Sequence, residues 1–288
     1  RSFSYEDADF EDSHMVEISS FDGSPVEIIN LEEDQLSLVT QHQYLDDDPT
    51  GTPSDLMQIM VTVIDSYGES VSESATVEVI NVDPQITSFS VSSPVDENGE
   101  VTLELAFEDV GTLDNHTVSI DWGDGGAVEI INLGDDEFSL VTMHTYLDDN
   151  PSGDPSNDYT VSVTVTDDDT GSDSAMAMVT VDNVDPVLML NPLANINENG
   201  STTLSGNVSD VGTLDTFQLD IDWGDPLSPD NMQSFMLGNM SLTEAVDGIN
   251  WNPVTGDFSI SHQYLDDNPS GDASNIYTVG VTVTDDDT

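Results

Sequence analysis

The sequence predicts an all-β protein built of tandem seven-strand, two-sheet sandwiches set end to end, and three observations predict it. The first is self-repetition: VEIINL at 26–31 recurs at 128–133, and the same offset of 102 carries His42 onto His144 and Asn81 onto Asn183. A period of that length encodes one whole domain per copy, unlike the short units of a solenoid, which need neighbours to bury a core. The second is alternation of apolar with polar or β-branched residues, the period-two pattern of half-buried strands. The third is the chemistry between those runs. Stretches such as SSPVDENG, EDVGTLDN, GDGG and LDDNPSGDPSND are made of the Gly, Pro, Asn and Asp that end strands and turn the chain.

The elements follow in order. Three repeats span 1–84, 85–186 and 187–288. In the middle repeat the alternating runs predict strands at 86–91, 101–107, 116–122, 127–132, 138–146, 159–167 and 173–181, lettered A, B, C, C′, E, F and G. By the offset, residue 1 falls inside strand B of the first repeat and Thr288 falls just before strand G of the third. The first repeat is therefore expected to lack its first strand and the third its last. Flanking sequence of a longer array, or a neighbouring subunit, would supply the missing edges. From His144 to His262 the step lengthens to 118, so an insertion is placed at 226–256. Deleting it is expected to spare folding.

Composition narrows the function. The chain has 59 Asp and Glu, one Arg, no Lys and no Cys in 288 residues, for a formal charge of −58. Nucleic acid is excluded as a partner because phosphate binding needs Lys and Arg, and an anionic membrane repels such a surface. No stretch is long and apolar enough to span a bilayer. Disulfides and Lys–Asn cross-links are impossible. Self-repulsion of this size favours expansion, so bound cations are expected to belong to the folded state. The near absence of Lys and Arg also removes tryptic sites.

Particular motifs carry a family resemblance. Trp122, Gly123, Asp124 and Gly125 form an aromatic followed by a Gly-Asp-Gly turn. His144 and Tyr146 form H-x-Y, and Tyr159, Val161, Val163, Val165 and Asp167 form Y-x-V-x-V-x-V-x-D. The third copy repeats the pattern at Trp223, Gly224, Asp225, His262, Tyr264, Tyr277 and Val279. On these residues the chain resembles the PKD-type immunoglobulin-like domains over nearly its whole length. The resemblance implies tandem sandwiches of a large secreted or cell-surface repeat protein. Departures are Pro226 for the second turn Gly, Ser20 where Trp is expected and Met57 where Tyr is expected, so the first repeat is expected to pack less tightly.

Topology then places the carboxylates. In a seven-strand sandwich the A–B and E–F loops lie at the outgoing end, and the B–C and F–G loops at the incoming end. At the second junction this gathers Asp96, Glu97, Asp148, Asp149, Asp154 and Asp158 with linker residues Asp182, Asn183 and Asp185, and with Asp210, Asp215, Asp285, Asp286 and Asp287 of the third repeat. The first junction gathers Asp46, Asp47, Asn81, Asp83, Asp109, Asp114, Asp167, Asp168 and Asp169. Dense hard oxygen ligands without competing bases suit Ca²⁺, which takes about 6 to 8 oxygens, better than Mg²⁺. The linker resembles the Asp/Asn-rich calcium linker of cadherins in spacing and placement. The competing reading is that these turns are solvating and that the acidity is an adaptation to high salt.

Other residues point away from catalysis. His42, His144 and His262 recur beside Tyr44, Tyr146 and Tyr264 and are assigned to closing the end of strand E. His14 and His116 align with Phe217, a packing position. Asp121 and Asp124 cap the WGDG turn. No G-x-S-x-G elbow, HExxH motif or three-His set is present, and the chain is read as non-enzymatic. Asn115, Asn199, Asn207 and Asn239 begin Asn-x-Ser/Thr sequons.

The leading expectation is a Ca²⁺-stiffened rod in an extracellular or cell-surface adhesin, filament or coat. Its partners are flanking repeats of the same chain and identical subunits of a filament. The alternative is an accessory module of a secreted hydrolase that binds a surface glycan or a protein. That reading needs an aromatic platform; Trp251, Phe235 and Tyr67 are the candidates, too scattered to read as one.

Overall fold

A computed structural model describes residues 2–6, 13–33, 35–47, 50–134, 136–149, 153–239, 245–267 and 272–287. Positions 1 and 288, where the repeat offset placed the two cut strands, lie outside them. All regular structure among the described residues is strand.

The middle unit comprises eight strands. They are β7 (Gln85–Val91), β8 (Val95–Asp96), β9 (Glu100–Glu108), β10 (His116–Asp121), β11 (Glu129–Leu133), β12 (Ser139–Thr145), β13 (Ser156–Thr166) and β14 (Ser172–Asp182). One sheet runs β11-β10-β13-β14-β8 and the other β12-β9-β7. These are the C′-C-F-G and E-B-A orders of immunoglobulin-like sandwiches. All seven expected strands form, and β8 is an addition that pairs parallel with β14 through Val181↔Val95 and Asp182↔Asp96. Alternation explains the core: Val101, Leu103, Leu105 and Phe107 of β9 face Val118, Ile120, Val161, Val163 and Val165 of the other sheet in one buried cluster.

The first unit repeats this plan with β1 (Ser2–Ser4), β2 (His14–Ser19), β3 (Glu27–Leu31), β4 (Ser37–Val39), β5 (Ser54–Ile64) and β6 (Ser70–Ile80). Its sheets are β3-β2-β5-β6 and β1-β4. The register is preserved, since His14↔Leu31 in this unit matches His116↔Leu133 in the next. Among the described residues its buried core cluster is Val16, Ile18, Leu31 and Val63.

The third unit holds β15 (Val187–Leu190), β16 (Gly200–Ser209), β17 (Phe217–Asp222), β18 (Met232–Gly238), β19 (Asn250–Asn252), β20 (Asp257–Tyr264) and β21 (Gly280–Thr284). Its sheets are β15-β16-β20-β19 and β18-β17-β21.

The aromatic motifs lock the turn between β10 and β11. Tyr146 Oη donates to the Trp122 carbonyl at 2.7 Å and Tyr264 Oη to the Trp223 carbonyl at 2.8 Å, both buried. His144 stacks on Trp122 at 4.6 Å while its Nε2 lies 2.9 Å from Asp124 Oδ2. His262 repeats this on Trp223 and Asp225. The recurring His is thus part of a turn lock. In the first unit Ser20 stands where the ring would be, His42 contacts Asp22, and His42 and Tyr44 meet edge to face.

The insertion is built into the third core rather than standing apart from it. Strand β18 lies within 226–256 but is the C′ strand itself, paired with β17 from Phe217↔Gly238 to Asp222↔Met232. The added chain follows it, and β19 extends the opposite sheet by pairing with β20. Phe235, Leu237 and Ile249 are buried in the third core, with Val246 and Trp251 packed against it. The aromatic platform is therefore not formed: Phe235 is internal, Trp251 is half-buried and Tyr67 stands alone on another unit. Each lost core side chain costs about 2 to 5 kcal/mol on truncation. Removing 226–256 should accordingly abolish cooperative unfolding of the third unit. Differential scanning calorimetry of the deletion chain would show one transition fewer, and an unchanged profile would contradict this packing.

Candidate metal centres at the joints

The two joints are built alike because the loops that form them are repeats. At each, a backbone amide of the incoming B–C loop donates to a carbonyl of the outgoing E–F loop. Thr112 N reaches Leu45 O at 3.0 Å and Thr213 N reaches Leu147 O at 3.1 Å. The linker asparagines are pinned by their amides, Asn81 N to Pro53 O and Asn183 N to Pro155 O, both at 3.1 Å. Asp-led turns shape the loops: Asp167 Oδ1 accepts from Gly171 N at 2.7 Å, Asp109 Oδ1 from Gly111 N at 3.1 Å and Asp210 Oδ1 from Val211 N at 2.6 Å.

These contacts force carboxylates together. At the first joint Asp46, Asp114 and Asp169 offer oxygens within 4.8 Å of one another, and so do Asp109, Asp114 and Asp167. At the second joint the sets are Glu97, Asp148 and Asp215, and Asp148, Asp149 and Asp287. Asn81 Nδ2 donates to Asp167 Oδ2 at 2.8 Å and Asn183 Nδ2 to Asp285 Oδ2 at 3.2 Å, so each linker Asn grips the F–G loop of the next unit. Asp47 and Asp285 are also buried, and Asp210 Oδ2 is enclosed.

Other sequence-assigned residues do different work. Asp168 Oδ1 and Asp286 Oδ1 accept from Asn115 N and Thr216 N at 2.8 and 2.6 Å, bracing the loops from outside. Asp83 and Asp185 are exposed, although Asp83 Oδ1 lies close to Gly171. Asp182 joins the joint through its carbonyl, which accepts from Glu97 N at 2.9 Å. Asp96, Asp154 and Asp158 are exposed, and Asp158 bonds Thr180 Oγ1 at 2.7 Å.

Two features escaped the sequence reading. His116 is more than packing: its Nε2 lies 3.0 Å from Asp109 Oδ2 with both side chains fully buried. Phe217 replaces it in the third unit, so Asp210 Oδ2 has no donor. The second feature is a further acidic set, Glu198, Asp266 and Asp267, at the outgoing end of the third unit. It repeats Glu97, Asp148 and Asp149, and the repeat offsets pointed to it. There the acids are exposed or half-buried, so the deep burial of the other sets comes from the joint.

The electrostatics are unfavourable for a metal-free chain. Glu97, Asp114, Asp149, Asp215 and Asp287 are 0 to 1% exposed. Glu97 Oε2 and both carboxylate oxygens of Asp114, Asp215 and Asp287 have no hydrogen-bond donor. Burial first, and neighbouring carboxylates second, push Asp215 up to about 8, Asp114 to about 7, and Asp169 and Asp287 to about 6. Glu97 rises to about 7 by burial and the same neighbours, opposed by the hydrogen bond from Val184 N. Buried ions without partners are costly, and the chain has no Lys to pair with them. All-oxygen donors, including the enclosed Asn183 Oδ1, fit Ca²⁺.

With this geometry the chain is an all-β tandem array of immunoglobulin-like sandwiches. No protein-family model matches it, and no curated protein matches it. Among solved structures it is similar to a tetra-tandem repeat in the extending region of a large adhesion protein, at 16% identity over 99% of this chain and 69% of that one, with a TM-score of 0.40. It is also similar to the FN1–FN3 domains of chicken CNTN1, at 12% identity over 99% and 91% of the two chains and a TM-score of 0.25. Immunoglobulin domains 1–5 of Sidekick-1 match at 10% identity over 87% and 46%, with a TM-score of 0.32.

Two expectations follow. The carboxylates raised in the folded state bind more protons folded than unfolded between about pH 4 and the folded values, so metal-free stability falls as pH rises across that window. Thermal unfolding in chelator should therefore show a higher Tm at pH 5 than at pH 8, with a shallower slope in Asp215→Asn; a Tm rising with pH would show that these acids are not strained. Secondly, a Cβ at Gly212 would overlap the Glu97 and Asp215 carboxylates. Gly212→Ala should lower Ca²⁺ affinity at least tenfold, read by isothermal titration, whereas Gly134→Ala, where a Cβ meets open space, should leave it unchanged.

Proposed function

We propose that this chain is a load-bearing segment of a large secreted or cell-surface protein of the adhesin, filament or coat kind, its PKD-like sandwiches held in line by Ca²⁺ at the joints. One observation carries the reading. Buried, donor-free carboxylates from both neighbouring units converge on each linker, in a chain with one Arg and no Lys. A cation shared by loops on both sides of a joint resists bending, because tilting one unit pulls ligands off the ion. Without it, the same carboxylates repel and the joint loosens.

The reading places the protein outside the cell, where calcium is millimolar and modules of this kind bind with Kd values of about 10⁻⁴ to 10⁻³ M. It assigns no catalytic residue. Flanking repeats and identical copies are its partners, and the accessory-module alternative has lost its aromatic platform. Small-angle scattering of the chain in millimolar Ca²⁺ should give an extended particle whose maximum dimension is reached only with the ion. In chelator the distance distribution should broaden, and Tm should fall. Rescue by NaCl equal to that by Ca²⁺ would identify the acidity as salt adaptation and overturn the proposal.

A further inference from the structure

The acidic sets at a joint overlap without merging. Two oxygens bound to one Ca²⁺ at 2.3 to 2.6 Å lie no further than about 5 Å apart, so each three-residue set has the span of a single ion. Among the described residues, two such sets at the first joint have Asp114 in common, and two at the second have Asp148 in common. Asp114 is 1% exposed and neither of its oxygens has a donor. Both oxygens are therefore open to a cation. Its counterpart Asp215 is equally buried and equally unpartnered, and Asp287 adds two more donor-free oxygens to the second set of its joint.

Charge argues the same way. The first joint assembles six carboxylates in Asp46, Asp47, Asp109, Asp114, Asp167 and Asp169. One divalent ion leaves four negative charges in a space largely closed to water, and a second halves the remainder. From this overlap we infer that each joint holds a carboxylate-bridged pair of divalent cations, shared through Asp114 at the first joint and Asp148 at the second. The inference rests on the calcium-joint reading and adds the number of ions and the residues that couple them. Binding within a pair is cooperative, because the bridging carboxylate placed by the first ion is a preformed ligand for the second. The Glu198, Asp266 and Asp267 set is open to solvent and contributes at most a weak, independent class.

The test counts ions on the intact three-unit chain by native mass spectrometry and by Ca²⁺ titration against a chromophoric chelator. Four tight Ca²⁺ per chain are expected. Asp114→Asn should remove the two of the first joint together, Asp148→Asn the two of the second, and the double variant all four. Asn replaces a buried charge by a neutral isostere, so circular dichroism in chelator should show each variant folded. Glu104→Gln, on an exposed strand face, should retain all four. Two tight ions per chain, with each Asn variant losing one, would refute the paired site while leaving a single-ion joint. A tight class untouched by either variant, or none at all, would sink the calcium joint itself.

Discussion

Carboxylates buried against carboxylates are the constraint on which this molecule depends. A sandwich interior of Val, Leu and Ile is self-sufficient, as the fully buried faces of β9, β10 and β13 show. The joints are the reverse. Side chains that ordinarily stand in water are enclosed there by loops from two units, and their oxygens face one another, with His116 against Asp109 at the first joint. Nothing in the chain's own composition relieves this, because it contains no Lys and a single Arg. The fold thus concentrates acidic groups where two units meet, and burial there pushes their titration upward.

Division of labour within each loop makes the arrangement possible. In Asp109 and Asp167, one carboxylate oxygen caps the local turn while the other faces the joint, held by His116 or Asn81. In Asp168 and Asp286 the carboxylate instead anchors the neighbouring B–C loop from the solvent side. A run of three aspartates therefore alternates inward, outward and inward. Strand-like alternation continues past the strand end and sorts acids that are chemically identical into ligands and braces. Glycine has a matching role, since at Gly111 and Gly212 a side chain would occupy the space of the inward carboxylates.

The units are unequal on this shared plan. The middle and third share the Trp–His–Asp lock and the tyrosine bond to the Trp carbonyl, which join the C–C′ turn to strand E. The first has Ser20 at the ring position and a much smaller core cluster. The joints differ as well, because His116 supports Asp109 whereas Phe217 leaves Asp210 Oδ2 bare. Reading His116 as a packing position followed from its alignment with Phe. Its neighbour seven residues back was acidic, but only folding brings Nε2 onto that carboxylate.

Repetition, alternation and turn chemistry were local signals, and they sufficed for the sandwich class, its seven strands and the two ends at which acids gather. The same signals underdetermined the insertion, because only pairing with β17 or β20 shows that β18 is the C′ strand and β19 an addition to the opposite sheet. Of the acids assigned to the joints, the sequence by itself established which loops carry them. Tertiary structure decided which point inward, which share a neighbour and which lose water, because burial of a carboxylate depends on what the next unit lays over it. Glu97 and Glu198 make the difference plain. They occupy matching positions in two repeats, yet Glu97 is enclosed within a joint and Glu198 is open to solvent.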